Sequence, residues 1–127
     1  MSAKVVDASA LAALLFGEPE GVAIAERLGR ADLIAPALLP FEIANACIMK
    51  MRREPDKRGA LLAAVGMLDR MEVDIVEVEH GEVLNLAERS GLTAYDASYL
   101  WLARRMGCEL VTLERRLAAA GASDRLA

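Results

Sequence analysis

Asp7, Glu42, Asp96 and Glu114 each stand at a junction between regular stretches, and a hydrophobic residue immediately precedes each of them. Asp7 closes the run AKVVD, while Glu42 follows Pro40 and Phe41 at the start of a long helical pattern. Asp96 opens another helical pattern, and Glu114 lies just beyond the short run ELVT. Carboxylates that converge without fixed cations repel one another unless a proton or a metal compensates. An oxygen-only donor set selects hard ions such as Mg2+ or Mn2+, whereas zinc usually recruits Cys or His. The single histidine, His80, reads as helix-terminal surface. Cys47 and Cys108 lie far apart in apolar stretches, with no CxxC spacing, and read as small buried hydrophobes. The chemistry these spacings point to is a divalent cation held by acids.

Each acid also has a plain structural role open to it. Asp7 suits a helix N-cap. Thr93 and Asp96 are spaced like a variant capping box. Glu114 fits the first turn of a helix capped by Thr112. Glu42 shares a helical strip with Leu38, Asn45 and Met49, and a mainly apolar strip that holds Glu and Asn predicts a polar pocket.

The elements that must position these acids alternate in type. Strand patterns fall at residues 3–7, 32–35, 74–78 and 109–112. Helical patterns cover 8–16, 19–28, 38–53, 57–71, 79–90 and 93–106, and a last helix over 114–120 is expected to stop at Gly121. Gly29 and Gly91 read as helix stops, and Pro40 is tolerated in a first turn. The pair 38–53 and 57–71 reads as a hairpin broken at Pro55. Such alternation predicts one domain over residues 1–127, a three-layer α/β/α sandwich on a mostly parallel sheet. Open parallel sheets gather ligands outside the carboxyl ends of their strands, where all four acids are expected to meet.

Composition sets the outer bounds. Hydrophobic residues make up 55% of the 127-residue chain, drawn mainly from Ala, Leu and Val, which suits helices packed on a small sheet. No stretch is long and apolar enough to span a bilayer, and cysteine usage fits a reducing compartment, so a cytoplasmic location without membrane insertion is expected. A net charge of −4 argues against a general nucleic-acid coat, so contact with nucleic acid must be local. Two basic groups are present, Lys50, Arg52, Arg53, Lys57 and Arg58 in the middle and Arg104, Arg105, Arg115 and Arg116 near the end.

The stretches VVDASA, PALLPFEIANA, LTAYDASYLWLA and LVTLERRLA carry Asp7, Glu42, Asp96 and Glu114 in order. On these four motifs the chain resembles PIN-domain ribonucleases, specifically the VapC-like toxins of bacterial toxin–antitoxin pairs, over nearly its whole length. The resemblance implies a PIN-like fold and a metal-dependent endoribonuclease. Asp7, Glu42 and Asp96 would be the core Mg2+ or Mn2+ ligands, directly or through water. Ser9 and Thr112 would support them. Apart from the resemblance, Asn45 on the Glu42 strip is a further candidate support, and Arg115 and Arg116, beside the acidic edge, are either RNA-backbone contacts or solvated arginines on a helix. The family most often has Asp where this chain has Glu114, one methylene longer.

The resemblance also implies an RNA substrate, a small antitoxin as inhibitor, and a homodimer. A groove between the second helix and Phe16 is the expected antitoxin seat. The alternative is a PIN-like RNA-binding or partner-binding module with weakened catalysis. A haloacid-dehalogenase-type phosphatase fits poorly, because Ser9 stands where its second Asp belongs. A receiver domain would need paired acids after the first strand, where only Asp7 is found.

Overall fold

The β-branched run at the start forms β1 (Ala3–Val6), whose Val5 and Val6 are fully buried. It feeds α1 (Ala8–Leu15) and then α2 (Gly21–Leu28), which Gly29 ends at a positive φ of 52°. The chain continues through β2 (Asp32–Pro36), α3 (Leu39–Arg53), a 3-10 turn at Pro55–Lys57 and α4 (Arg58–Arg70). The second half comprises β3 (Asp74–Val76), α5 (His80–Ser90), α6 (Ala94–Met106), β4 (Glu109–Val111) and α7 (Arg115–Leu126). This computed structural model describes residues 2–126, with side chains given through residue 122.

Among the described residues, four strands form one sheet in the order β3-β2-β1-β4, and every pairing is parallel. Val5 lies between Ile34 of β2 and Leu110 of β4. Parallel strands require covered faces, and two groups of helices supply the cover. Helix α1 packs on α2, α3 and α4, and α3 on α4, while α6 crosses β1, β2 and β4 with α5 and α7 beside it. The α/β/α sandwich expected from the alternation is the observed architecture. Leu11, Ile24, Leu39, Ile43, Leu100, Leu102 and Leu117 fill the two interfaces. No helix of the described residues is long and apolar enough to cross a membrane.

Most boundaries shift by a residue or two from the sequence reading, β3 ending at Val76 rather than residue 78, and two of the shifts have a clear physical cause. Helix α2 begins at Gly21 rather than Pro19, because the turn closes with the Gly21 N–H donating to the Glu18 carbonyl at 2.9 Å. Gly21 then lies so close to α1 that a β-carbon there would stand 2.7 Å from the Ala13 carbonyl oxygen. Helix α7 does not stop at Gly121 but continues to Leu126. A glycine inside a helix costs only about 1 kcal/mol, and Gly121 takes a place facing the Leu110 side chain of β4.

The single strand order 3-2-1-4 decides where a site can form. Chain progression runs outward from β1 to β2 and β3, then returns across the sheet to place β4 on the other side of β1. The crevice beyond the carboxyl ends of β1 and β4 is therefore the topological switch point, the preferred ligand position in such sheets.

Candidate active site

Asp7 occupies that switch point. Its backbone N–H donates to the Val111 carbonyl at 3.1 Å, which extends the β1–β4 pairing by one step. Its side chain is the N-cap of α1, with Oδ1 accepting from the Ala10 N–H at 3.0 Å. The capping role and a site role thus coincide. Oδ1 also accepts from the Ser9 hydroxyl at 2.8 Å, and Oδ2 accepts from the Thr112 hydroxyl. Each hydroxyl directs its proton at Asp7, so the 3.3 Å approach of the Ser9 and Thr112 oxygens is a packing contact rather than a hydrogen bond. The same two oxygens accept in turn from the Leu113 and Glu114 N–H groups, both at 3.0 Å. The loop after β4 is thereby laced to the start of α1.

Glu42 lies in the first turn of α3, half-buried, and its Oε1 accepts a 2.6 Å hydrogen bond from the Tyr99 hydroxyl. Tyr99 is 1% exposed and projects from α6, so this bond ties the two helix groups together across the site. Sequence reasoning missed Tyr99. A tyrosine inside an otherwise apolar helix must find a partner for its hydroxyl, and that requirement was the available signal.

Asp96 lies in the first turn of α6. Its N–H donates to the Thr93 hydroxyl at 3.1 Å, so Thr93 is the cap and the Asp96 carboxylate is left free to face the crevice. Glu114 is placed differently from the expectation of an ordinary first-turn acid. It is the residue before α7, and its Oε2 accepts from the Leu117 N–H at 2.8 Å as a cap.

The electrostatics show that these acids face one another. Burial raises the carboxyl pKa of Asp7 above the ordinary aspartate value, against the hydrogen bonds of Thr112, Ala10 and Ser9, and the Glu114 charge raises it further. Burial likewise raises Glu42, as do the charges of Asp7 and Asp96. Asp96 is raised by burial, then by Glu114 and Asp7, with Arg116 pulling the other way. Burial and the Glu42 carboxylate together push the Tyr99 hydroxyl far above its usual range, so it stays a donor.

The donor set is hard oxygen throughout, which suits a divalent ion of the Mg2+ class. Among the described residues, no three acids already stand close enough to form a finished metal cage. An ion that retains several of its own waters needs only one or two direct carboxylates. Asp7 can supply one such bond, since a carboxylate has about four acceptor positions and three are taken here.

Beside the acids runs an open groove whose lining includes Ala12, Leu38, Phe41, Asn45, Met49 and Tyr95, together with Ser9 and Glu42. The strip of Leu38, Glu42, Asn45 and Met49 read from the sequence is one of its walls. Asn45 makes only a long 3.9 Å contact with the Met49 sulfur and has no hydrogen bond to the acids among the described residues. Phe16, expected to border a groove with α2, is partly buried, with the Lys50 ammonium 5.6 Å from its ring centre, while Val22 of α2 is exposed. Arg116 donates to the Gly91 carbonyl at 2.8 Å beside the site, and Arg115 is exposed at the start of α7.

The chain is also similar to known proteins. Residues 4–122 match the model of the PIN domain. Ribonuclease VapC3 of Pyrobaculum aerophilum is 33% identical over 90% of this chain and 91% of its own length. Ribonuclease VapC9 of Mycobacterium tuberculosis is 39% identical, covering 92% and 90% respectively. The crystal structure of PAE2754 from Pyrobaculum aerophilum superposes with a TM-score of 0.74 at 31% identity, over 93% of this chain and 85% of that one.

Proposed function

The chain belongs to the PIN-domain family, and from that premise we propose that it is a divalent-metal-dependent endoribonuclease, the toxin of a toxin–antitoxin pair. The observation that carries the reading is the approach of Asp7, Glu42 and Asp96 from three separate elements, each with its carboxyl pKa raised by burial and then by a neighbouring acid, Glu114 at Asp7, Asp7 and Asp96 at Glu42, and Glu114 and Asp7 at Asp96. Such an arrangement is costly to the fold and is resolved by a cation. The relatives named as ribonucleases support RNA as the substrate.

Asp7, Asp96 and Glu42 would hold Mg2+ or Mn2+, with Glu114 at the margin. When bound, the ion supplies charge for a phosphodiester and lowers the pKa of a water. The chain's own residues do the positioning. Ser9, Thr112 and the Ala10 N–H fix both oxygens of Asp7, so that the free acceptor position points one way. Tyr99 holds Oε1 of Glu42 and leaves Oε2 for the crevice. Glu114, engaged as the α7 cap, contributes its field more than a ligand atom. Arg115, and Arg116 through the donors that its bond to Gly91 leaves free, would meet the RNA backbone. A second copy of the chain and a small antitoxin are the expected protein partners, in the cytoplasm.

The test is cleavage of a panel of single-stranded and hairpin RNAs by the purified protein in Mg2+, Mn2+ or EDTA. Cutting should require the divalent ion. Asp7→Asn and Asp96→Asn should each lower it by at least about 100-fold, the upper end of what loss of an outer-shell partner costs. Absence of cutting across the panel, or cutting that survives in both variants, would remove the nuclease reading.

A further inference from the structure

Phe41 is 79% exposed and Tyr95 is 67% exposed, and both line the groove beside the acids. The chain's other aromatic residues are engaged elsewhere. Phe16 lies under Lys50, Tyr99 is buried on Glu42, and the Trp101 indole N–H donates to Glu82 at 3.0 Å. Each exposed ring immediately precedes an acid of the site, Phe41 before Glu42 in α3 and Tyr95 before Asp96 in α6. Phe41, Glu42 and Tyr95 line the same groove, and Asp96 follows Tyr95 in the first turn of α6.

A net charge of −4 makes RNA hard to hold by its phosphates. Among the described residues no Lys or Arg lines this groove. A grip here must come from the uncharged part of the nucleotide. Aromatic faces provide that grip, because every base has a π-face and stacking tolerates any sequence. Bases can reach such rings only when they are unpaired and splayed from a helix.

We propose that Phe41 and Tyr95 are stacking platforms for unpaired RNA bases that flank the phosphate held at the acids. The proposal rests on the nuclease reading for its choice of ligand and deepens it by naming the two side chains that seat the bases. The groove runs continuously into the acid site through Ser9 and Glu42, which belong to both. Met49 and Leu38 supply the apolar wall against which a stacked base sheds water.

A single-stranded oligonucleotide carrying 2-aminopurine, whose fluorescence falls on stacking, tests this in two conditions. In EDTA, titration of the wild type should quench the probe, and Phe41→Ala and Tyr95→Ala should each weaken binding about 10-fold. Phe41→Trp and Tyr95→Phe should restore it. In Mn2+, the alanine variants should raise KM while leaving kcat near the wild-type value.

Because both side chains are largely exposed, unchanged thermal melts should show that the variants fold. Quenching and affinity that stay the same in both alanine variants would overturn the stacking role. Variants that alter only self-association would overturn it too, and would make the patch a protein contact. Ring-dependent quenching by a wild type that cuts nothing would keep the platform and remove the nuclease reading instead.

Discussion

Asp7 carries the strongest conflict in the molecule between folding and charge. It is 3% exposed and acidic, and it faces Glu114 with no basic partner among its contributing neighbours. The folded-state pKa values of Asp7, Glu42 and Asp96 are all raised, so the folded chain holds protons that the unfolded chain releases. A raised value gives stability that is full below the unfolded pKa and drains away as pH rises through the folded pKa. In metal-free protein, the contribution of these three acids to stability should therefore be larger near about pH 5 than at about pH 7.5. Asp7→Asn keeps an acceptor for Ala10 and removes the charge. In EDTA its Tm should exceed the wild type at about pH 7.5, by about 3–6 °C per kcal/mol relieved, and the gap should narrow towards about pH 5. Calorimetry at the two pH values decides it, and a gap that is constant or reversed would show that the buried charge is not the source. Asp7 was legible in the sequence because VVDASA places an acid after a buried strand run. Its partner Thr112 lies 105 residues away and was reached only through the family resemblance. Tyr99 was not found at all, since its bond to Glu42 spans 57 positions and depends on how α3 and α6 are laid across the sheet.

Helix existence was readable along the chain from the apolar period, while helix ends were less so, because ends answer to neighbours. Gly21 and Gly66 make the contrast measurable. Gly21 opens α2 against α1, where a β-carbon would lie 2.7 Å from the Ala13 carbonyl oxygen and 3.3 Å from the Leu14 α-carbon. Both obstacles are backbone and cannot swing away. Gly66 lies inside α4 with nothing within 4 Å of the same position. Gly21→Ala should cost about 1–3 kcal/mol through overpacking. Gly66→Ala should stabilise by about 0.5–1 kcal/mol through lower unfolded-chain entropy and better helix propensity. Urea unfolding of the two variants should move the midpoint in opposite directions, and a shared direction would mean that the α1–α2 approach is not a close packing contact. Gly121 belongs to the same lesson, since a glycine in a helical pattern was read as a stop although it lies within α7, facing Leu110. Sequence pattern alone does not separate a glycine that ends a helix from one that lets it approach a strand.

Across the molecule, the alternation of elements predicted a parallel sheet, but it carried no information on strand order, which long-range pairing sets. The order 3-2-1-4 turns four scattered acids into one crevice and leaves that crevice electronegative. The basic residues do not form a compensating coat. Lys50 is bound to Glu18, Lys57 pairs with Glu54 at 2.9 Å, Arg27 pairs with Glu109 at 2.9 Å, and Arg116 is committed to the Gly91 carbonyl. These four cations already have partners, and among the described residues no Lys or Arg lines the groove beside the acids. For a single strand, each neutralised phosphate contributes about 0.7 to the slope of log K against log salt. Binding held by two or three phosphates plus stacked bases should give a slope of magnitude about 2 or less. Titration of Asp7→Asn with single-stranded RNA between about 50 and 300 mM salt reads this slope directly, without cleavage. Arg115→Ala should lower it by about 0.7 if that arginine meets a phosphate, whereas Phe41→Ala should weaken binding with the slope unchanged. A steep slope that falls in several Arg variants at once would assign RNA binding to the basic surface rather than to the groove.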